Sequence, residues 1–192
     1  MNNSIIMGVP GFYKEIVRTN GDIMIPIFKV LAPISRLYVD ANSMIYDAAR
    51  ELGEKATDEL VIELLISKLK NLAEQVGPRK SMFIAFDGVV PMAKMEQQKT
   101  RRHKSVLKTS DASAWSTIKI TPGTAFMDNV SLKVALAFSA DTFIVSGVDD
   151  YGEGEQKIFE HVRKNVSADD IVVVYGLDAD LILLSVLHTR FT

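Results

Sequence analysis

Asp178 and Asp180 stand inside "YGLDADLILLS" (175–185), between the apolar runs "DIVVVY" and "LILLSVL". A buried, unpaired carboxylate is costly or takes up a proton, so two of them at such a junction call for partners. Two residues apart in extended chain, both side chains can point the same way. Glu153-Gly154-Glu155 repeats the spacing, with glycines at 152 and 154 that let the backbone turn sharply or come close to a ligand. Taken alone, these glutamates also suit a helix start, where carboxylates meet the positive end of the dipole. Asp40 and Asp87 each close a β-rich apolar run. Six converging carboxylates repel one another and raise their pKa values, and a divalent cation relieves this. Hard Mg²⁺ or Mn²⁺ prefers oxygen ligands. Two such ions about 4 Å apart can activate a water and stabilise the leaving oxygen of a phosphodiester. The excess of acids over what one ion needs favours a pair.

A basic segment complements the acids. Residues 91–108 carry six Lys/Arg against one Glu, whereas 149–155 carry four acids and no base. Pro91 fits a first helical turn. Lys94, Gln98, Arg101 and Arg102 then fall at i, i+4, i+7 and i+8, on one face within about 100° of arc. An ammonium, an amide and two guanidinium forks suit the oxygens of a terminal phosphate. A solvated face is the usual fate of a charge run. Here the run follows Asp87 directly through "DGVVP", which sets a phosphate grip beside a metal site.

These side chains need a scaffold. Strand-like runs at 36–40, 82–87, 142–147 and 170–176 alternate with helical patterns near 10–18, 42–51, 57–76, 91–107, 125–138, 153–165 and 179–187. Thr57 or Asp58 caps the third helix, and Gly77-Pro78 ends it. The alternation predicts an α/β domain, a mostly parallel central sheet with helices on both faces. Ligand sites in such sheets lie beyond the carboxyl ends of the strands, which gathers Asp40, Asp87 and Asp178 at one edge.

With 192 residues and 47% apolar content, one core and one domain over 1–192 are expected. No apolar run reaches the length of a membrane span, and the start lacks a secretion signal. The absence of cysteine excludes disulfides and thiolate metal sites and fits an intracellular location, cytoplasmic or nuclear. A net charge of −2 argues mildly against nucleic-acid binding, but the segregated charges argue for it. His103, His161 and His188 are not at ligand spacing to one another. Trp115 lies in a polar stretch and is read as local packing.

The stretches "MGVPGFY" (7–13), "LYVDANSMIY" (37–46), "AFDGVVPMAKMEQQKTRR" (85–102), "ITPGTAFM" (120–127), "GEGEQKI" (152–158) and "YGLDADLILL" (175–184) together resemble the N-terminal catalytic region of the Xrn family of 5′→3′ exoribonucleases. The resemblance implies a nuclease core of the PIN-like and flap-endonuclease kind. It implies two Mg²⁺ (or Mn²⁺) ions held by Asp40, Asp87, Glu153, Glu155, Asp178 and Asp180. It also implies that Lys94, Gln98, Arg101 and Arg102 grip a 5′-monophosphate, with Asn42 and Tyr46 among the RNA-binding positions. The implied substrate is single-stranded RNA, degraded from its monophosphorylated 5′ end to mononucleotides by a monomeric enzyme.

Some positions depart from the family pattern. Tyr46 and Gln156 stand where His is usual, and Met92 replaces a common Arg. Family members continue beyond "LHTRFT" and supply a further metal-binding Asp, so a truncated or short member is expected. The alternatives are a catalytically impaired RNA-binding remnant or regulatory fragment, and a flap-type or PIN-like nuclease acting on DNA. An aspartyl phosphatase built on "DAD" fits less well, because Ile182 occupies a position that normally holds Thr or Val.

Overall fold

Leu37, Val39, Met82 and Ile84 are buried in one apolar cluster and Tyr38, Phe83 and Ala85 in another. This is the period-two alternation of strands covered on both faces. The computed structural model describes residues 11–27, 32–89 and 115–188. Among these, strands β1 (Arg36–Asp40), β2 (Ser81–Ala85), β3 (Phe143–Ser146) and β4 (Val172–Tyr175) form one sheet in the order β3-β2-β1-β4. Every pairing is parallel, with Tyr38 opposite both Phe83 and Val174.

Helices α1 (Phe12–Thr19), α2 (Ala41–Leu52), α3 (Asp58–Val76), α4 (Ala125–Ala137), α5 (Gly154–Asn165) and α6 (Asp180–His188) follow the predicted spans closely. The predicted helix at 91–107 lies outside the described residues. Residues of α2, α3 and α4 pack in the cluster of Leu37 and Ile84, while Ile158 and Phe159 of α5 and Leu181 of α6 pack with Tyr38 and Phe83. The fold is therefore the expected α/β architecture, with helices on both faces.

Local chemistry sets the boundaries. Thr57, not Asp58, caps α3: its hydroxyl accepts from the Leu60 N–H at 3.2 Å. Gly77 ends that helix in the left-handed region (φ 58°), where a side chain would be strained. Strand β2 stops two residues earlier than predicted. Phe86 N–H still bonds Ser146 O at 3.0 Å, but Asp87 N–H turns away to Asn42 Oδ1 at 3.3 Å. Strand β4 is shortened at its start. Asp170 is engaged there by Arg36 and Lys80 rather than by the sheet ladder.

The strand order positions the site. The chain runs outward from β1 to β2 and β3, then returns to place β4 on the other side of β1. The order reverses between β1 and β4, and the carboxyl end of such a switch point is where open α/β sheets open a crevice.

Candidate active site

All six predicted acids follow the carboxyl ends of strands. Asp40 is the last residue of β1 and precedes α2. Asp87 lies just beyond β2, Glu153 and Glu155 begin α5 after β3, and Asp178 and Asp180 lie between β4 and α6. Asp40 and Asp178 thus flank the switch point.

Asp40 and Asp87 meet at Gly154. A Cβ built on Gly154 would lie 3.1 Å from Asp40 Oδ1 and 3.5 Å from Asp87 Oδ1. The two oxygens therefore border one small space that the missing side chain of Gly154 leaves open. Gly154 also donates its N–H to Asp87 Oδ1 at 2.8 Å. Gly176 plays a matching part on the other side. A Cβ there would overlap Leu181 Cδ1 and lie 3.2 Å from Asp40 Cβ, so its absence makes room for Leu181 and lets the chain leaving β4 pass near Asp40.

The electrostatics reflect this crowding. Burial and then the charge of Asp87 push the Asp40 carboxyl up to about 7, with further contributions from Glu155 and Asp178. Burial also raises Asp87, reinforced by Glu153 and opposed by the Gly154 N–H, Asn42 and Lys157. Five of the six acids are thereby coupled in one field. Asp180 N–H donates to Asp178 Oδ1 at 3.0 Å, so Asp178 doubles as a cap for α6. Glu153 likewise forms a capping box with Gln156, whose Oε1 accepts from the Glu153 N–H at 3.4 Å. Metal-facing and helix-capping readings of Glu153 are thus both compatible with its place.

The donor set fits a hard divalent ion at Asp40 and Asp87, where two half-buried carboxylate oxygens border a common cradle. Among the described residues, no three Asp, Glu or His side chains are arranged to enclose an ion as they stand. Asn42, expected among the RNA-binding positions, lies buried beneath Asp87 and accepts its backbone N–H. Tyr46 is four residues further along the same helix, hence on the same face, and is exposed. Lys94, Gln98, Arg101 and Arg102 lie outside the described residues.

One neighbour was not anticipated from the sequence. Lys157 is buried, and its Nζ donates to Phe86 O at 2.8 Å and Gly147 O at 2.6 Å. Its signal was helical phase. On α5 the buried positions are Gly154, Lys157, Ile158 and Phe159, so the lysine sits on the core-facing stripe. Of the three histidines, His103 lies outside the described residues and the other two pack against aromatic rings. His161 lies against Tyr38 and Phe83, and His188 stacks on Phe159.

A parallel α/β sheet with acids at its carboxyl edge is consistent with a PIN-like nuclease core. The chain belongs to the family described as the XRN 5'-3' exonuclease N-terminus, which it matches over residues 7–191. It is 31% identical to the 5'-3' exoribonuclease 1 of Homo sapiens, covering 93% of this chain and 12% of the relative. It is 30% identical to the 5'-3' exoribonuclease 1 of Saccharomyces cerevisiae, covering 93% of this chain and 14% of that protein. Similarity to the 5'-3' exoribonuclease 2 of Cryptococcus neoformans is 31% over 79% of this chain and 17% of the relative. The chain thus spans less than a fifth of the length of these curated relatives. No described helix is long and apolar enough to cross a membrane.

Proposed function

We propose that this chain carries the catalytic edge of a metal-dependent 5′→3′ exoribonuclease acting on single-stranded RNA with a 5′-monophosphate. The observation that carries the reading is the facing of Asp40 and Asp87 across Gly154 at the carboxyl edge of the sheet, with Asp40 pushed up to about 7. Family membership and the names of its relatives support the reaction class.

In this reading Asp40, Asp87, Glu153, Glu155, Asp178 and Asp180 hold two Mg²⁺ or Mn²⁺ ions. When bound, such ions supply Lewis-acid activation of water and neutralise charge on the leaving oxygen. The chain's own groups do the rest. The Gly154 N–H and the Asn42 side chain fix the Asp87 carboxylate and backbone, so less reorganisation is needed as the reaction proceeds. Lys94, Gln98, Arg101 and Arg102 grip the terminal phosphate through charge-assisted hydrogen bonds. Tyr46 supplies a ring on which the terminal base stacks, a contact that tolerates any sequence. A grip shaped for one phosphate rejects capped and triphosphate ends and sets a single-nucleotide step.

The test is a Mg²⁺-dependent assay with 5′-monophosphorylated, 5′-hydroxyl and internally labelled RNA, alongside the corresponding DNA. Mononucleotide release from the phosphorylated RNA alone supports the proposal. Equal cleavage of the 5′-hydroxyl RNA removes the phosphate grip, and preferential cutting of branched DNA points to a flap-type nuclease. A second reading is an RNA-binding remnant without turnover, supported by Tyr46 and Gln156 standing where the family pattern usually has His. It predicts RNA binding with no product at any Mg²⁺ concentration.

A further inference from the structure

We infer that Lys157 is a positioning residue of the acidic site: its buried ammonium locks the start of α5 onto the ends of β2 and β3 and so holds Asp87 and Glu155 in register for a divalent cation. The inference rests on the metal reading proposed above.

Lysine is among the residues least often fully buried, and Lys157 is 7% exposed. Its Nζ donates to the carbonyls of Phe86 and Gly147, each just beyond the end of its strand. Because β2 and β3 are neighbours, one ammonium ties two strand ends to a single helix. The same helix carries three parts of the acidic site. Glu153 caps it, Gly154 N–H holds Asp87, and the charge of Glu155 acts on Asp40. A shift of α5 therefore moves all three at once.

The surroundings are shaped around the ammonium. A Cβ on Gly88 would overlap the Asp150 carbonyl oxygen and come within 3.0 Å of Lys157 Nζ. Gly88 N–H bonds Gly152 O at 2.9 Å, and Gly152 N–H bonds Val89 O at 3.0 Å. These bonds close the loop before α5 onto the segment after β2. Asp87, Asp149 and Asp150 are the carboxylates whose charge reaches Lys157.

Lys157 could instead act only as a counter-charge for these acids. The two roles predict opposite signs. A fixed cation repels an incoming cation, so as a counter-charge its removal tightens metal binding. As a positioning group, its removal loosens the carboxylates and weakens metal binding.

The experiment is Mn²⁺ titration by calorimetry of the wild type, Lys157→Met and Lys157→Arg, with the Gly154 amide proton followed by NMR. Positioning predicts Mn²⁺ affinity reduced roughly 10-fold or more in Lys157→Met. It also predicts weaker binding in Lys157→Arg, which keeps the charge but not the shape. In both variants the Gly154 amide moves upfield as its bond to Asp87 lengthens. Affinity that is unchanged or tighter in the variants, with an unmoved Gly154 amide, overturns the inference. Should Lys157→Met not fold, Lys157→Arg decides by the same readouts. If the wild type itself binds no Mn²⁺, the metal reading fails, and the Gly154 amide in Lys157→Arg still decides whether the lysine positions α5.

Discussion

Gly154 donates its backbone N–H to Asp87 Oδ1 at 2.8 Å, across 67 residues of chain. It is at once a donor to one acid and the gap that admits the other, Asp40. As the first residue of α5 its N–H needs a partner from outside the helix, and a carboxylate there also meets the positive end of the dipole. The glycine is required for space rather than for backbone conformation, since its φ is not in the left-handed region.

Gly154→Ala separates these roles. Alanine favours a helix over glycine by up to about 1 kcal/mol, although less at a first position than in the interior. Its methyl would stand 3.1 Å from Asp40 Oδ1, tight enough to push the carboxylate aside by a few tenths of an ångström. Thermal unfolding should show stability within about 1 kcal/mol of the wild type. Mn²⁺ binding and Mg²⁺-dependent nuclease activity should fall at least about 10-fold. Wild-type affinity for Mn²⁺ in a folded Gly154→Ala protein would remove the Asp40–Asp87 cradle from the site.

The raised pKa of Asp40 makes stability depend on pH with a definite sign. Its folded value of about 7 exceeds the ordinary 3.8, so the folded state holds the proton more tightly. That contribution is complete below about pH 4 and is lost as pH rises through about 7, at roughly 1.4 kcal/mol per unit at most. His161, lowered chiefly by burial, acts the other way below about pH 6.5. Asp40→Asn isolates the effect. Without divalent ions, the variant should gain on the wild type from pH 5 to about pH 7 and level off above that in calorimetric melts. Mg²⁺ should raise the wild-type Tm at pH 8 and barely move that of the variant. Parallel pH profiles for the two proteins would rule out the crowded-carboxylate account.

Much of this arrangement is written in local pattern. Apolar runs marked all four strands, helical spacing marked the described helices, and the acids at strand ends located the edge. What local pattern does not carry is which strands become neighbours. The order β3-β2-β1-β4, which makes Asp40 and Asp178 flank the switch point, depends on long crossovers. Lys157 was missed because its partners are backbone carbonyls 71 and 10 residues away, which no spacing announces. Thr57 and Asp58 were equivalent as caps on paper. Trp115 Nε1–H and Lys119 Nζ claim the Asp58 carboxylate at 2.7 and 2.8 Å, leaving Thr57 to cap. The same bond, with the edge-on packing of Trp115 against Phe126, makes that ring the local packing element the sequence suggested.

At the opposite edge of the sheet, Asp170 staples the amino ends of the strands. Lys80 Nζ donates to it at 2.5 Å and Arg36 Nε at 3.2 Å, and its side chain is 1% exposed. Lys80, then the Ser167 backbone N–H, hold its carboxyl well below the usual carboxylate range. A depressed folded pKa gives stability that is present above about pH 4 and lost as pH falls further. Asp170→Asn keeps the shape but removes the charge. It should cost roughly 1–3 kcal/mol at pH 7 in urea unfolding, towards the lower end because Lys80 is half-exposed. The difference from wild type should shrink as pH falls below 4. A constant difference from pH 7 to pH 3 would show that the charge is not what the staple uses.

Asp178 combines a proposed metal-facing role with a structural one, and two substitutions divide them. Its Oδ1 accepts the Asp180 N–H at 3.0 Å at the start of α6. Asparagine keeps an oxygen in that place and caps helices about as well as aspartate, whereas alanine offers none. Asp178→Asn should therefore retain the wild-type melting temperature, while Asp178→Ala should lose about 1 kcal/mol from the missing cap. Both remove a negative charge beside Asp40, whose carboxyl feels the Asp178 charge. Both should consequently abolish Mg²⁺-dependent release of nucleotides from 5′-monophosphorylated RNA while leaving RNA binding largely intact. Activity in Asp178→Asn comparable to the wild type would confine Asp178 to the cap and take it out of the metal site.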